Sequence, residues 1–440
     1  MIGKKDVNGS NRLPMPEVSV QQHTEEQLRN AGAADIVVGI LSYNNAGNIA
    51  GVTKEAQRAL AASFPALRCV MVNADGGSKD GTAELAASAV EDRNDFVQLT
   101  YPVYPAQKIS PETWGVPGKA NAVNAVFKIA AELNAGACAI VDSSAASLSG
   151  DWASILLQPV TEQEIDFVAP SYVRQKYDGA LLLGVIYPLI RALYGRRVHQ
   201  PVGGEYALSG KLVRHLMKQP QPEADATNTG VDAWMTIQAI TGNFTVAEAC
   251  VGPRVLNTKE PAPEVSTILS QALSAVFTEM NRSATAWQRT RGSLAVPCFG
   301  PRFEPLPEPT PADPAPMLQS FRLGYQNLQD VYRLILPPAS LMDLKRLLYL
   351  SPEAYLFDDM TWARVVYDFA LAWRARIIDR DQLLRALTPV YLGWVASWVR
   401  SIRDAGPKEA QERLETLCLA YEAQKGYLIS RWRWPDTFNP

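Results

Sequence analysis

Between Leu67 and Thr82 the chain passes from a short apolar run, Leu67 to Val72, through Val72-Asn-Ala-Asp-Gly-Gly-Ser-Lys-Asp-Gly-Thr82 into a helical pattern beginning near Ala83. An acidic residue at a strand end, then two glycines, then a second Asp-Gly before a helix, is what a nucleotide pocket at the carboxyl end of a parallel sheet requires. Asp75 can accept hydrogen bonds from a ribose or a base edge, Gly76 and Gly77 let the backbone approach a ligand, and Ser78 or Asp80 can cap the helix. Taken alone, the same residues also suit an ordinary strand-to-helix turn. The segment upstream repeats the pattern: Asp35-Ile-Val-Val-Gly-Ile-Leu-Ser-Tyr-Asn-Asn45 reads as a strand ending in Ser42-Tyr43-Asn44, with a helix starting around Ala46-Gly47-Asn48-Ile49. Two consecutive βα units thus carry polar residues at one sheet edge.

Composition agrees with a soluble enzyme. The 440 residues suffice for about two or three domains at ~150 residues each. A hydrophobic fraction of 47%, a mean hydropathy of −0.09 and a net charge of −3 exclude a disordered chain and give no global basic field, so nucleic acid is not an expected partner. Cys69, Cys138, Cys250, Cys298 and Cys418 show no Cys-x-x-Cys spacing, which points to reduced core thiols and a cytoplasmic location rather than a disulfide frame or a zinc site. No uncharged apolar run reaches ~20 residues, so no transmembrane helix is expected. The nearest candidate, Ala180 to Leu193, is shorter and contains Pro188 and Arg191.

Organisation along the chain follows from composition shifts. Residues 1–33 are polar, open with Met-Ile-Gly-Lys-Lys without an apolar signal core, and read as a mobile arm. Strands and helices alternate from about Ala34 to Pro261. Pro297 to Pro316 is proline-rich and includes Pro305-Leu-Pro-Glu-Pro-Thr-Pro311, an extended connector. Met317 to Trp432 has mainly helical periodicity. The expectation is therefore an α/β catalytic domain over 34–296, a connector over 297–316 and an α-helical domain over 317–440. Within the helical part, Tyr367, Phe369, Trp373, Tyr391, Trp394 and Trp398 are expected to fill helix-packing layers rather than bind sugar rings.

Two further segments carry candidate chemistry. Gly118-Lys119-Ala120-Asn121-Ala122 opens a helix running toward Leu133, and a lysine there adds its ammonium to the amides and the positive end of the helix dipole, a suitable cradle for a diphosphate. The next strand, Ala137-Cys-Ala-Ile-Val-Asp142, ends in Asp142-Ser143-Ser144.

The first two βα units resemble the amino-terminal half of GT-A glycosyltransferases, whose strands end in a Tyr-Asn type turn and in Asp-Gly-Gly/Ser-x-Asp-Gly-Thr. Gly118-Lys119 also stands where these enzymes keep a Gly-Lys-x-x-Ala element, just before the strand carrying their metal motif. Arg174-Gln-Lys-Tyr-Asp178-Gly179, Tyr187-Pro-Leu-Ile-Arg191-Ala-Leu-Tyr194-Gly195, Gln200-Pro-Val-Gly203-Gly204-Glu205 and Gly230-Val-Asp232-Ala-Trp-Met resemble the retaining synthases that make mannosylglycerate, glucosylglycerate or glucosyl-3-phosphoglycerate, and their bacterial relatives. The resemblance covers roughly Ile36 to Pro261. It implies a GT-A (Rossmann-like) fold, a nucleotide-diphosphate sugar donor and a small, acidic acceptor such as glycerate.

Carried over residue by residue, the resemblance implies that Asp75 contacts the nucleoside and Lys119 the phosphates, with Ser42, Tyr43, Asn44, Gly76, Gly118 and Ser144 in the same donor nucleotide-sugar site. Asp142 would meet a metal or the donor sugar, Gly203-Gly204-Glu205 would lie against that sugar, Arg174 and Asp178 would face the acceptor, and Asp232 would lie near the reacting centre. Plain structural roles compete: a surface ion pair for Arg174 and Asp178, a helix cap for Glu205, a helix N-terminal charge for Asp232. Two departures put metal use in doubt. GT-A enzymes normally place Asp-x-Asp where Asp142-Ser143-Ser144 stands, and Leu256, beside Asn257, occupies the place of the family's ligand histidine. His23, His199 and His215 lie elsewhere, and Ala180-Leu-Leu-Leu183 replaces hydroxyl residues that help hold the acceptor. Three accounts follow: a retaining hexosyltransferase with weakened dependence on Mg2+ or Mn2+, in which Lys119, Arg254 or Lys259 neutralises the diphosphate; an inverting one with Asp232 as base; or a degenerate homologue that binds a nucleotide sugar or a partner protein without turnover. A homodimer contact through the helical domain is consistent with the resemblance.

Overall fold

The computed structural model describes residues 22–91, 93–101, 103, 116, 118–143, 150–222, 229–253, 265–304, 306 and 312–433. Its strands are β1 (Ile36–Ser42), β2 (Cys69–Asp75), β3 (Phe96–Thr100), β4 (Ala137–Asp142), β5 (Phe167–Val173), β6 (Arg196–Arg197), β7 (Tyr206–Ser209), β8 (Val246–Pro253), β9 (Leu294–Ala295) and β10 (Cys298–Phe299). Eight of them form one sheet in the order β10-β8-β5-β7-β4-β1-β2-β3, while β6 and β9 pair separately. All neighbours in the large sheet run parallel except β7, which is antiparallel to both β4 and β5. Every residue of β1 and β4 is buried, as expected of central strands covered by helices on both faces. The fold is thus a mixed, mostly parallel α/β sheet followed by a helical carboxyl-terminal region, the class read from the sequence.

β2 continues three residues beyond the Leu67–Val72 run, because its polar residues find partners within the sheet. The Asn73 side chain accepts from the Ser42 hydroxyl at 2.9 Å and donates to Gln98 of β3 at 2.9 Å. Gly39 in β1 is dictated by packing. A Cβ there would stand 2.5 Å from Val126 of the Lys119–Glu132 helix.

One apolar core runs from the α/β part into the carboxyl-terminal helices. It joins Leu182, Val185, Ile190 and Phe277 to Trp362, Tyr367, Trp394 and Tyr421. The six aromatics expected in helix-packing layers are all buried there. At its centre the π-turn Leu182–Ile186 places Gly184 flat against Trp394, where a Cβ would come within 2.1 Å of the indole. The Gly184 carbonyl accepts from Trp362 Nε1 at 3.0 Å and from the Tyr421 hydroxyl at 3.2 Å. Polar clasps reinforce this contact. Arg191, fully buried, meets Glu415 at 2.5 and 2.6 Å and Glu422 at 2.8 Å, and Lys425 donates to the carbonyls of Ala192, Leu193 and Thr290 at 2.6, 3.0 and 3.0 Å. Among the described residues, no helix is long and apolar enough to cross a membrane.

All five cysteines are free thiols, but they are not all core thiols. Cys138 and Cys418 are buried, whereas Cys250 is half-buried and Cys298 exposed, their sulfurs 3.0 Å apart. The correction has a topological cause: the short β10 pairs with β8 at the open end of the sheet and brings them together.

Candidate functional site

Parallel register sets three polar residues side by side at the carboxyl edge of the sheet. Ser42 stands opposite Asp75, and Leu41 opposite Asp142, so the ends of β2, β1 and β4 form one ledge. The loops leaving β1 and β2 are laced together by side chains that replace absent backbone pairing. Asn44 N–H donates to the Ser78 hydroxyl at 2.8 Å, Lys79 N–H to the Asn44 side chain at 3.1 Å, Asn45 N–H to Thr82 Oγ1 at 2.8 Å, and Ala46 N–H to Asp80 at 3.0 Å. Asp80 also accepts from Thr82 N–H at 3.1 Å, but the residue at the N-cap of the Thr82–Ser88 helix is Gly81, in the left-handed region with φ 86°.

Asp75 is the knot of this lacing. One oxygen accepts from the amides of Gly77 and Ser78, both at 2.8 Å; the other accepts from the hydroxyls of Ser78 at 2.5 Å and Ser42 at 3.2 Å. A carboxylate offers about four acceptor positions; the two amides and the Ser78 hydroxyl fill three, and the single Ser42 proton is shared between the fourth and Asn73. In this arrangement Asp75 shapes the loop, and a nucleoside would have to displace a hydroxyl to reach it. Gly76 lies between two rings, a Cβ there meeting the Tyr101 hydroxyl at 2.8 Å and Tyr43 at 3.0 Å. Burial holds the Tyr101 phenol well above its usual range, and the carboxylates of Asp75 and Asp142 add to the shift, so it stays protonated.

The antiparallel β7 brings the Gly203-Gly204-Glu205 turn to the same edge. Ile140 of β4 pairs with Tyr206, so the turn preceding Tyr206 lies beyond Ile140, on the side of Asp142. Its conformation needs the glycines: a Cβ on Gly203 would sit 2.2 Å from Pro170 of β5, and Gly204 has φ 108°. The Tyr206 hydroxyl staples the loop, accepting from Gly203 N–H at 2.5 Å. Burial raises that phenol well above its usual range, with Asp232 and Glu205 contributing. Glu205 is itself buried, as are Asp142 and Asp75.

Lys119 and Asp232 meet in the same region. Gly118, in the left-handed region with φ 69°, turns the chain into the Lys119–Glu132 helix, and the Thr229–Thr241 helix carries Asp232 in its first turn. Lys119 Nζ lies 2.7 and 2.9 Å from the two carboxylate oxygens, with 5% and 3% of the side chains exposed. Both oxygens of Asp232 thus face an ammonium, which competes with any hydroxyl for them.

A cleft of about 510 Å³ opens where β5 ends. Arg174, Lys176, His199 and Gln200 line its α/β side, with Phe303 and Leu306 beside them, and Trp398 and Leu414 close it from the carboxyl-terminal helices. Arg174 donates to the Gln200 side-chain oxygen from Nε and from one Nη, at 3.2 and 3.0 Å, while Asp178 is exposed. Lys176 donates to the carbonyls of Arg403 and Ala405 at 2.8 and 3.2 Å. His199 is held by Glu248, which accepts from its backbone N–H at 2.6 Å and meets Nδ1 at 2.9 Å, against the Tyr187 ring at 5.0 Å. The sequence reading missed His199 and Glu248. Their signal was a single carboxylate, Glu248, inside the apolar run Val246-Ala-Glu-Ala-Cys-Val251, because a buried charge there demands a partner.

Ser144, Arg254, Leu256, Asn257 and Lys259 lie outside the described residues. Among the described residues no group of three His, Cys, Asp or Glu side chains is placed to hold a metal ion. The ledge carries the buried carboxylates of Asp142 and Glu205, and Asp75 holds its own loop. These residues do not by themselves make a Mg2+ or Mn2+ centre.

No family model and no curated protein matches the chain. Solved structures do. One is glucosyl-3-phosphoglycerate synthase from Mycobacterium tuberculosis in complex with Mn2+, UDP and glucosyl-3-phosphoglycerate, 19% identical, covering 59% of this chain and 84% of that one, with a TM-score of 0.40. Another is the same enzyme with Mg2+ and UDP, 18% identical, covering 59% and 83%, again at 0.40. At that TM-score the likeness decides nothing about this chain's chemistry, and the fold stands on the strand order given above.

Proposed function

We propose that this protein is a GT-A-type glycosyltransferase that moves a hexose, glucose or mannose, from a nucleotide-diphosphate sugar to a small acidic acceptor such as glycerate, with retention and with reduced dependence on a divalent cation. The observation that carries the reading is the ledge itself. Ser42, Asp75 and Asp142 end three adjacent parallel strands, and an antiparallel strand brings Gly203-Gly204-Glu205 alongside them. That is where an α/β sheet binds its ligands. On this reading Tyr43, Asn44 and Gly76 contact the nucleoside on a loop held by Asp75, Gly118 and Lys119 take the diphosphate at a helix N-terminus, and Asp142 and Glu205 accept hydrogen bonds from the sugar.

The cleft at the end of β5 continues the ledge beyond Pro170 and suits the acceptor. Arg174 offers the charge that a carboxylate or phosphate seeks, and the exposed Asp178 would sit at the rim. In transfer with retention the bond between the anomeric carbon and the diphosphate oxygen breaks. The acceptor hydroxyl then adds from the same face, and its proton passes to the departing diphosphate. No side chain is glycosylated, so the main demand is charge on the leaving group, met by Lys119 and, outside the described residues, by Arg254 or Lys259. Asp232 serves here as the counter-ion that positions Lys119.

The test is incubation of the full chain with UDP-glucose or GDP-mannose and D-glycerate or 3-phosphoglycerate, followed by proton NMR of the anomeric region. An α-linked glycoside formed from the α-linked donor is expected. A β-linked product would favour an inverting transferase, and nucleotide binding without any product would favour a degenerate binding protein.

A further inference from the structure

The thiols of Cys250 and Cys298 are brought together by the fold and take no part in the transfer just described. They stand on neighbouring parallel strands, β8 and β10, at the end of the sheet, sulfur to sulfur 3.0 Å. The register pairs Cys298 with Glu248 and Phe299 with Ala249, so both cysteines project from one face of the sheet. Cys298 is exposed and Cys250 half-buried, within reach of a small reagent.

Their environment separates them from the other three. Burial pushes the thiols of Cys138 and Cys418 up to about 12 and that of Cys69 up to about 11. The Cys250 thiol instead lies at about 7, chiefly because of its hydrogen bond with Cys298; burial and Glu248 oppose this, while Ser171 and His199 assist. Cys298 is shifted upward by the same bond. A proton shared between two sulfurs 3.0 Å apart makes one of the pair a ready nucleophile.

We propose that Cys250 and Cys298 are a redox-modification site, forming a reversible intrachain disulfide with a low-molecular-weight disulfide as oxidant, and that this bond fixes one wall of the cleft. The Cys250 thiolate attacks one sulfur of the reagent, breaking its S–S bond and releasing one thiolate. Cys298 then loses its proton and attacks the Cys250 sulfur, displacing the second thiolate. Two cysteine thiols and one disulfide become one protein disulfide and two small thiols, the protein losing two electrons and the reagent gaining them. The coupling to the cleft is direct. β10 is only two residues long, and the chain leaving it supplies Phe303, whose ring would stand 3.3 Å from a Cβ added at Gly252, and Leu306, both lining the cleft.

The test uses the full chain equilibrated in glutathione buffers of increasing oxidised fraction, quenched by alkylation and mapped by peptide mass spectrometry. A Cys250–Cys298 linked peptide that dithiothreitol removes is expected, with Cys138 and Cys418 unmodified. Cys298→Ser should instead stop at a glutathione adduct on Cys250, and Cys250→Ser should leave Cys298 slow to react. Amide exchange across Phe299–Phe303 should slow about tenfold on oxidation of the natural chain and stay unchanged in Cys298→Ser. Absence of the linked peptide, or the same exchange in both redox forms, would overturn the proposal. Neither readout depends on transferase activity.

Discussion

The Lys119–Asp232 pair is where structure and proposed chemistry meet, and it can be broken in a controlled way. At 2.7 Å the attraction of two unit charges is about 6 kcal/mol at an effective dielectric constant of about 20. Stripping water from two ions costs a similar amount, so the intact pair contributes little net stability. Removing one partner leaves the other charge buried with 5% or less of its side chain exposed, and such deletions cost about 3–5 kcal/mol. Lys119→Met and Asp232→Leu, followed by urea denaturation, should each lose that much, and the double variant should recover to within about 1 kcal/mol of the natural chain. The ligand arm carries the functional content. If Lys119 holds the diphosphate, Asp232→Asn, which keeps an amide oxygen to position Lys119 but removes the competing charge, should strengthen nucleoside diphosphate binding, and Lys119→Met should abolish it. Single variants that each lose under about 1 kcal/mol would show that water reaches the pair and refute the reasoning.

Other expectations follow from particular contacts. Asp75→Ala removes the acceptor for two amides and the Ser78 hydroxyl and should cost about 3 kcal/mol, with amide-exchange protection lost at Gly77 and Ser78; retained protection would mean that Asp75 does not hold the loop. Gly184→Ala places a methyl group 2.1 Å from the Trp394 ring and should destabilise the fold by about 1–3 kcal/mol in thermal unfolding, with a change in tryptophan emission. Burial raises Asp368 to about 6 despite Tyr427, Arg431 and Ser340. A carboxyl raised on folding stabilises the folded state while protonated. Stability should therefore fall by about 3 kcal/mol as pH rises from about 4 through 6, and Asp368→Asn should flatten the profile; a rise over that window would show that the arginine contact dominates.

Much of the sheet was legible because central parallel strands are continuous apolar runs with polar ends. Ala137–Asp142 has the bounds its apolar run suggested, and Gly118-Lys119 opens its helix where the glycine signals the turn. β2 ends at Asp75, the acidic strand end read from the sequence, but the partners of Asn73, Ser42 and Gln98, lie on neighbouring strands and were not legible. Pairings across long separations were not legible: Lys119 with Asp232 is 113 residues apart, His199 with Glu248 is 49, and Cys250 with Cys298 is 48. Nor does the sequence reveal that Asp75 spends its lone pairs on its own loop. A motif names residue types, whereas only coordinates show which hydrogen bonds are already made.

The central claim is that the ledge holds a nucleotide and that the basic residues around it carry much of the charge a metal would otherwise balance. Calorimetric titration of the full chain with UDP and with GDP, each with and without manganese, tests it most directly. Micromolar affinity for one of the two without added metal, strengthened less than about tenfold by manganese, is the predicted result. Binding only in the presence of manganese would contradict the reduced metal dependence, and no binding of either nucleotide under any condition would contradict the transferase reading itself.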